Sequence, residues 1–156
     1  MAASALHLFR RLGGSTPGRW LFSRLVCRRA PYFNSIAPTI EVLDPGRCVV
    51  RMRDRRAVRN HIGSVHAIAL CNMAELAGGL ATDATIPAAM RWIPKGMSVR
   101  YLAKAHGAMT ATAIVPAIVD ASAAQESCAH VDVRDAVGTV VFDADIVMWV
   151  SLRKAA

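Results

Sequence analysis

Glu75 is the only acidic residue in a run of small and apolar residues from Val65 to about Thr82. The run contains no proline, which favours one long helix. A lone carboxylate is costly to bury in such a helix unless it is paired or takes part in a reaction. As a reactive group, Glu75 would act as a general base or as a nucleophile. We expect a sheet to enclose this helix, with the acid kept inside.

A polar turn precedes the predicted helix and holds other groups that chemistry could use. It contains Asn60, His61 and Gly63, followed by Ser64 and His66. Ser64 is the predicted N-cap, because its hydroxyl can accept a free backbone N–H of the first turn. The start of a helix also offers unpaired N–H groups and the positive end of its dipole. His61 is expected to be structural or exposed, since further ligands for a His61–His66 metal pair are lacking.

The rest of the chain is predicted to form the sheet that positions this helix. Thr39–Leu43 and Cys48–Arg53 alternate as a hairpin around a Pro–Gly turn. Residues 92–97 are interpreted as an entry segment punctuated by proline and glycine. Further strands are predicted over residues 98–103, 108–115, 125–134 and 139–151, with a tight turn at His106–Gly107. A helix followed by four strands in antiparallel succession predicts an α+β domain in which the sheet wraps the helix.

Basic residues are concentrated at the start of the 156-residue chain. Residues 1–40 contain six arginines and no acid, whereas the other 13 basic residues nearly balance 11 acidic ones. Residues 1–35 are therefore predicted to be a basic helical arm, and residues 36–156 the main domain. The arm could be two short helices packed on the domain, a membrane-surface amphipathic helix or a transit peptide. No run reaches the roughly 18 apolar residues of a transmembrane segment.

The four cysteines are isolated along the chain and have no paired ligand spacing, so we expect neither a zinc site nor any other metal. As reduced, buried residues they point to a reducing compartment. The predicted location is cytoplasmic, or the mitochondrial matrix if the arm is a transit peptide. The arm lacks interleaved aromatic residues, so nucleic acid is not an expected partner.

The spacing Asn60-x5-His66-x8-Glu75 resembles the loop and helix of hotdog-fold thioesterases of the phenylacetate-pathway and 4-hydroxybenzoyl-CoA type. The segments Pro31–Phe33, Asn60–Ala67 and Pro94–Met97 resemble an uncharacterised thioesterase-like hotdog family, domain of unknown function 4442. This resemblance extends over about residues 5–150. It implies a hotdog fold, in which a curved antiparallel sheet wraps one long central helix.

The resemblance also implies an acyl-CoA hydrolase and assigns roles to its residues. The backbone N–H of Ala67 would bind the oxyanion, and Glu75 would act as the base or the nucleophile. Asn60 would orient water or the thioester carbonyl, and His66 would shape the loop or donate a hydrogen bond. The residues expected to bind substrate are Gly63, Gly79, Met97, Arg100 and Lys104, the last two through the phosphates of coenzyme A.

Two departures from the family pattern keep other functions open. Ala67-Ile68 replaces a Gly-Gly pair, and Gly79 stands where some relatives have a hydroxyl residue. The alternatives are a non-catalytic protein that binds acyl-CoA and a hydratase or dehydratase of the same fold. The expected partners are an acyl-CoA or carrier-protein thioester and other copies of the chain, as a homodimer or a dimer of dimers. No bound cofactor is expected apart from the coenzyme A of the substrate.

Overall fold

The computed structural model describes residues 5–118 and 122–153. The first four residues of the predicted arm therefore lie outside the described part. The helices are α1 (Ala5–Leu12), α2 (Thr16–Arg29) and α3 (Ala67–Thr85), with 3-10 helices at Pro31–Ile36 and Arg56–Val58. The strands are β1 (Thr39–Asp44), β2 (Arg47–Met52), β3 (Met90–Tyr101), β4 (Met109–Ile114), β5 (Gln125–Arg134) and β6 (Val140–Leu152).

The six strands form one antiparallel sheet in the order β1-β2-β4-β5-β6-β3. Alternate side chains of each strand point to opposite faces, and in β5 Ala129, Val131 and Val133 are buried. Helix α3 packs on this apolar face and buries Met73 and Ala77 completely. The predicted α+β arrangement, with a sheet around one long helix, is thus confirmed.

The predicted antiparallel succession of the last four strands is correct for β4, β5 and β6 but wrong for β3. β3 pairs with β6 at the edge of the sheet, and β4 pairs with β2 instead of β3. Residues 102–108 do not form a hairpin between β3 and β4, because they cross the start of α3, where Ala105 accepts a 2.9 Å hydrogen bond from Val65 N–H. β3 also begins at Met90 and includes the supposed entry segment. Its ladder shifts register between Pro94 and Gly96, since proline cannot donate to a regular ladder.

The basic arm packs on the domain through both of its helices. The rings of Phe9 in α1 and Phe22 in α2 meet edge to face at 5.0 Å. Ser23 links α2 to the sheet, because its hydroxyl accepts a 2.9 Å hydrogen bond from Ile40 N–H. Within the described residues, no helix is long and apolar enough to cross a membrane.

Candidate active site

The loop before α3 is built around the side chain of Asn60. The amide oxygen accepts hydrogen bonds of 3.1 Å from the N–H groups of both Ile62 and Ser64, and the amide nitrogen donates to the Ser64 hydroxyl at 2.8 Å. Gly63 has φ +83°, a left-handed conformation that glycine adopts without strain. Three contacts inside the loop engage the amide of Asn60, so the structure gives this residue a positioning role. Its predicted contact with water or substrate stays a prediction.

Asn60→Ala should lower the melting temperature, because the change removes three hydrogen bonds of a partly buried loop. A loss of about 1–3 kcal/mol is expected from the amide groups left unpaired. Asn60→Asp is the matched control, since its carboxylate can still accept from both backbone N–H groups. Thermal unfolding followed by circular dichroism measures the difference. Equal melting temperatures for wild type and Asn60→Ala would contradict this assignment.

His66, rather than the predicted Ser64, is the N-cap of α3. Its Nδ1 atom accepts a 3.1 Å hydrogen bond from Ile68 N–H, and its own N–H donates to Val58 O at 2.8 Å. Ser64 is buried, and its hydroxyl is taken by Asn60. Because Nδ1 acts as an acceptor, the neutral ring carries its proton on Nε2. His66 can therefore donate one hydrogen bond toward a ligand while capping the helix.

The N–H of Ala67 has no acceptor among the described residues. It is the first N–H of α3, so it adds a free donor to the positive end of the helix dipole. Beside it lies an open pocket of about 150 Å³ between the two 3-10 helices and α3. Its lining includes Tyr32, Ser35, His66, Ile68 and Asn72. This end of the helix is thus equipped to bind an anionic or polarised oxygen next to an apolar group.

Glu75 is half-buried, so the expectation of a fully enclosed acid is wrong for the single chain. Among the described residues it has no hydrogen-bond or ion-pair partner. It lies eight residues after Ala67, which is about 12 Å along a helix. Its carboxylate therefore does not face the same bound atom as the Ala67 N–H of its own chain.

A strip along α3, formed by Ile68, Cys71 and Glu75, is left partly uncovered beside β3. Cys71 Sγ lies 3.3 Å from the hydroxyl of Tyr101. This hydrogen bond, and burial to a smaller extent, raise the pKa of Tyr101 to about 12, so its hydroxyl stays protonated at neutral pH. Sequence reasoning missed Tyr101, because the contact exists only once β3 lies against α3.

Two of the predicted substrate contacts lie farther along this face. Gly79 is buried, and a Cβ atom at this position would come within 2.7 Å of the Trp92 ring. A substrate would reach Gly79 only if Trp92 moved. Met97 pairs with Ile146 in the ladder and is partly exposed at the edge of the sheet. Of the two, Met97 is the one accessible to a ligand in this structure.

The two predicted phosphate-binding cations have different surroundings. Arg100 makes a bidentate pair with Asp143, at 2.9 and 2.6 Å, and this pairing lowers the pKa of the Asp143 carboxyl. It lies on the face of the sheet opposite Tyr101, because adjacent strand residues alternate. Lys104 is exposed in the segment that crosses the start of α3, and it has no ion pair among the described residues. Lys104 is thus the cation available near the helix start.

Asp54 ties the crossing segment to the loop that precedes α3. Its carboxylate accepts hydrogen bonds from the side chain of Arg59, at 2.7 and 3.0 Å, and from Gly107 N–H at 3.1 Å. The hydrogen bond from Arg59 is the main cause that lowers the pKa of Asp54. The carboxylate is therefore ionised at neutral pH and holds the two segments together. Over the described ranges, no group of three His, Cys, Asp or Glu side chains could hold a metal ion.

A family model defined as a domain of unknown function, DUF4442, matches residues 18–150. The chain belongs to the DUF4442 family. The crystal structure of a protein described as genomics APC5556 is 44% identical to this DUF4442 protein, with 97% of this chain and 100% of that chain covered and a TM-score of 0.83. No match was found among functionally curated proteins.

Two further structures resemble the DUF4442 protein at lower identity. PA5026 from Pseudomonas aeruginosa, described as a probable thioesterase, is 25% identical, with 84% and 93% of the two chains covered and a TM-score of 0.73. Thioesterase HI1161 from Haemophilus influenzae is 14% identical, with 84% and 89% covered and a TM-score of 0.73. These likenesses, together with the sheet around α3, confirm the predicted hotdog fold.

Proposed function

We propose that the protein is an acyl-CoA thioester hydrolase whose active sites form between two copies of the chain. One observation carries the proposal: Ala67 and Glu75, whose N–H and carboxylate have no partner among the described residues, lie about 12 Å apart along the axis of one helix. A second copy can bring its Glu75 to the helix start of the first copy. The thioesterase descriptions of PA5026 and HI1161 support the class of reaction.

The chemistry follows from what each group can do. The thioester carbonyl oxygen accepts a hydrogen bond from Ala67 N–H, which stabilises the negative charge that develops on it. Glu75 of the other copy removes a proton from water as the water oxygen bonds to the carbonyl carbon. The carbon–sulfur bond then breaks, and the departing thiolate takes up the proton from Glu75. The alternative, in which Glu75 itself attacks and forms an anhydride, uses the same placement.

The edge of the sheet at β3 is the surface through which two copies would join. Among the described residues β3 has a neighbouring strand on one side only, so its outer edge is not paired in the sheet. Ile93, Met97 and Tyr101 are 60%, 38% and 52% exposed on this strand. Such an apolar edge favours pairing with a second copy, and this would cover the strip that contains Glu75.

The pocket and its surroundings favour an acyl-CoA as the substrate. Ile68 and Tyr32 contribute apolar lining to the pocket, which His66 and Ile68 border on either side of Ala67, and this lining suits the acyl group of a thioester. Lys104 beside the helix start can bind a phosphate of coenzyme A. The side chains of Ala67 and Ile68, in place of Gly-Gly, narrow the approach to the N–H and favour a slender acyl chain.

Free-thiol release from short, medium, long and aromatic acyl-CoAs tests the proposal. We expect thiol release from at least one of these classes of acyl-CoA. The release should not require that an enoyl-CoA is hydrated first. Micromolar binding of acyl-CoA without thiol release would contradict the proposed hydrolase and favour a non-catalytic protein that binds acyl-CoA. Loss of enoyl absorbance without free coenzyme A would replace it with a hydratase.

A further inference from the structure

Helix α2 exposes three large apolar side chains although its other half packs on the domain. Trp20, Leu21 and Leu25 are 60%, 43% and 40% exposed. Helical spacing places them on one half of the helix, while Phe22 and Cys27 face the domain. Arg28 falls on the same half of the helix, and Arg29 and Tyr32 are exposed directly after it in the chain. We call Trp20, Leu21, Leu25, Arg28, Arg29 and Tyr32 the arm surface.

The charge around the arm surface is of one sign. No acidic residue precedes Glu41 in the chain. Among the described residues no carboxylate lies within ion-pair distance of Arg28 or Arg29, nor of Arg10 and Arg11 in α1. Two copies of this surface would therefore repel each other, whereas an anionic partner would be attracted.

We infer that the arm surface docks on a lipid bilayer that carries anionic phospholipids. Leucine and tryptophan side chains enter the boundary between headgroups and acyl chains, so the exposed half of α2 would lie against this boundary while its other half stays packed on the domain. The arginines then pair with lipid phosphates, each contributing to the attraction. Nucleic acid fits less well, because the exposed leucines would gain nothing from a phosphate backbone.

The position of the arm surface connects docking to the candidate active site. Tyr32 belongs to the arm surface and also lines the pocket at the start of α3. Docking therefore brings the mouth of that pocket toward the headgroup layer, where amphipathic thioesters concentrate. Docking depends only on exposed side chains and charge, so it does not require thioester hydrolysis.

Co-sedimentation of the full chain with vesicles tests the inference. Vesicles of equal parts phosphatidylglycerol and phosphatidylcholine should carry the protein down, and pure phosphatidylcholine vesicles should not. Arg28→Gln with Arg29→Gln should weaken vesicle binding by about thirty-fold, since the loss of each basic residue near an anionic surface lowers the affinity by about five- to six-fold. Leu21→Ser with Leu25→Ser should also weaken it, and high salt should release the wild type.

Matched exposed positions elsewhere supply the controls. Arg47→Gln with Arg53→Gln removes two exposed charges outside the arm, and Val137→Ser changes an exposed apolar residue of the β5–β6 turn. All variants alter exposed side chains, and circular dichroism verifies that they fold. Trp20 fluorescence should shift to the blue on anionic vesicles, with the shift lost in Trp20→Phe.

Four results would overturn the inference. One is the absence of co-sedimentation with the anionic vesicles. Another is equal binding by the arm variants and their controls. The third is a change of oligomeric state in Leu21→Ser with Leu25→Ser without vesicles, which would show that a second copy covers this surface. Tighter binding to RNA than to vesicles would count as contradiction as well.

Discussion

Glu75→Gln is expected to lower the rate of thiol release by about 10²–10⁴-fold, because glutamine can neither take a proton from water nor attack the thioester. The fold should not change, since Glu75 makes no hydrogen bond or ion pair within the described residues. Binding of a non-hydrolysable acyl-CoA analogue should also persist. Steady-state kinetics with a thiol reagent, together with calorimetric titration of the analogue, measure both expectations.

Asp83→Asn is the matched control for this change. Asp83 is the other carboxylate of α3, half-buried and two turns beyond Glu75. Its loss should leave thiol release close to the wild-type rate. Wild-type turnover in Glu75→Gln, or equal losses in the two variants, would exclude the role proposed for Glu75.

Ala67→Pro is expected to lower kcat by about 10²–10³-fold, the usual effect of removing one donor to an oxyanion. Proline lacks a backbone N–H and is well tolerated at the first position of a helix. His66 already has the extended conformation, φ −66° and ψ 137°, that a residue before proline prefers. The substitution should therefore delete the donor while keeping α3 intact.

Ala67→Gly separates the donor from the side chain at the same position. It keeps the N–H and opens the approach to it, so its activity should equal or exceed that of the wild type. Circular dichroism and thermal unfolding verify that both variants keep the helix. Full activity in a folded Ala67→Pro variant would mean that the oxyanion is held elsewhere.

The parts of the fold that were predicted correctly depend on patterns local in sequence. The long helix was visible as an apolar run with one acid, and the β1–β2 hairpin as two alternating segments around a Pro–Gly turn. Strand β5 was visible because its buried residues alternate regularly. In each case the burial of one face fixes the structure without reference to distant residues.

The predictions that were wrong concern features that depend on contacts between segments distant in sequence. The sequence between Met90 and Gly96 does not show that β3 continues through Pro94. The strand can do so because its ladder shifts register against β6 at this point, which depends on a distant segment. His66 replaces Ser64 as the cap because Asn60 and the loop draw the serine hydroxyl inward. The half-exposed state of Glu75 depends on how far β3 covers α3, which local patterns do not encode.

The central claim, that the helix start of one copy works with Glu75 of another, is tested most directly by mixing two inactive variants. Glu75→Gln and Ala67→Pro chains, carrying different tags and assembled together, give mixed dimers with one complete site and one site that lacks both groups. Random assembly should restore about one quarter of the wild-type activity, since half of the dimers are mixed and each has one working site of two. The doubly tagged fraction contains only mixed dimers, so about half of the wild-type activity is expected there. A mixture as inactive as its separate components would show that both groups act within one chain, and would contradict the shared site.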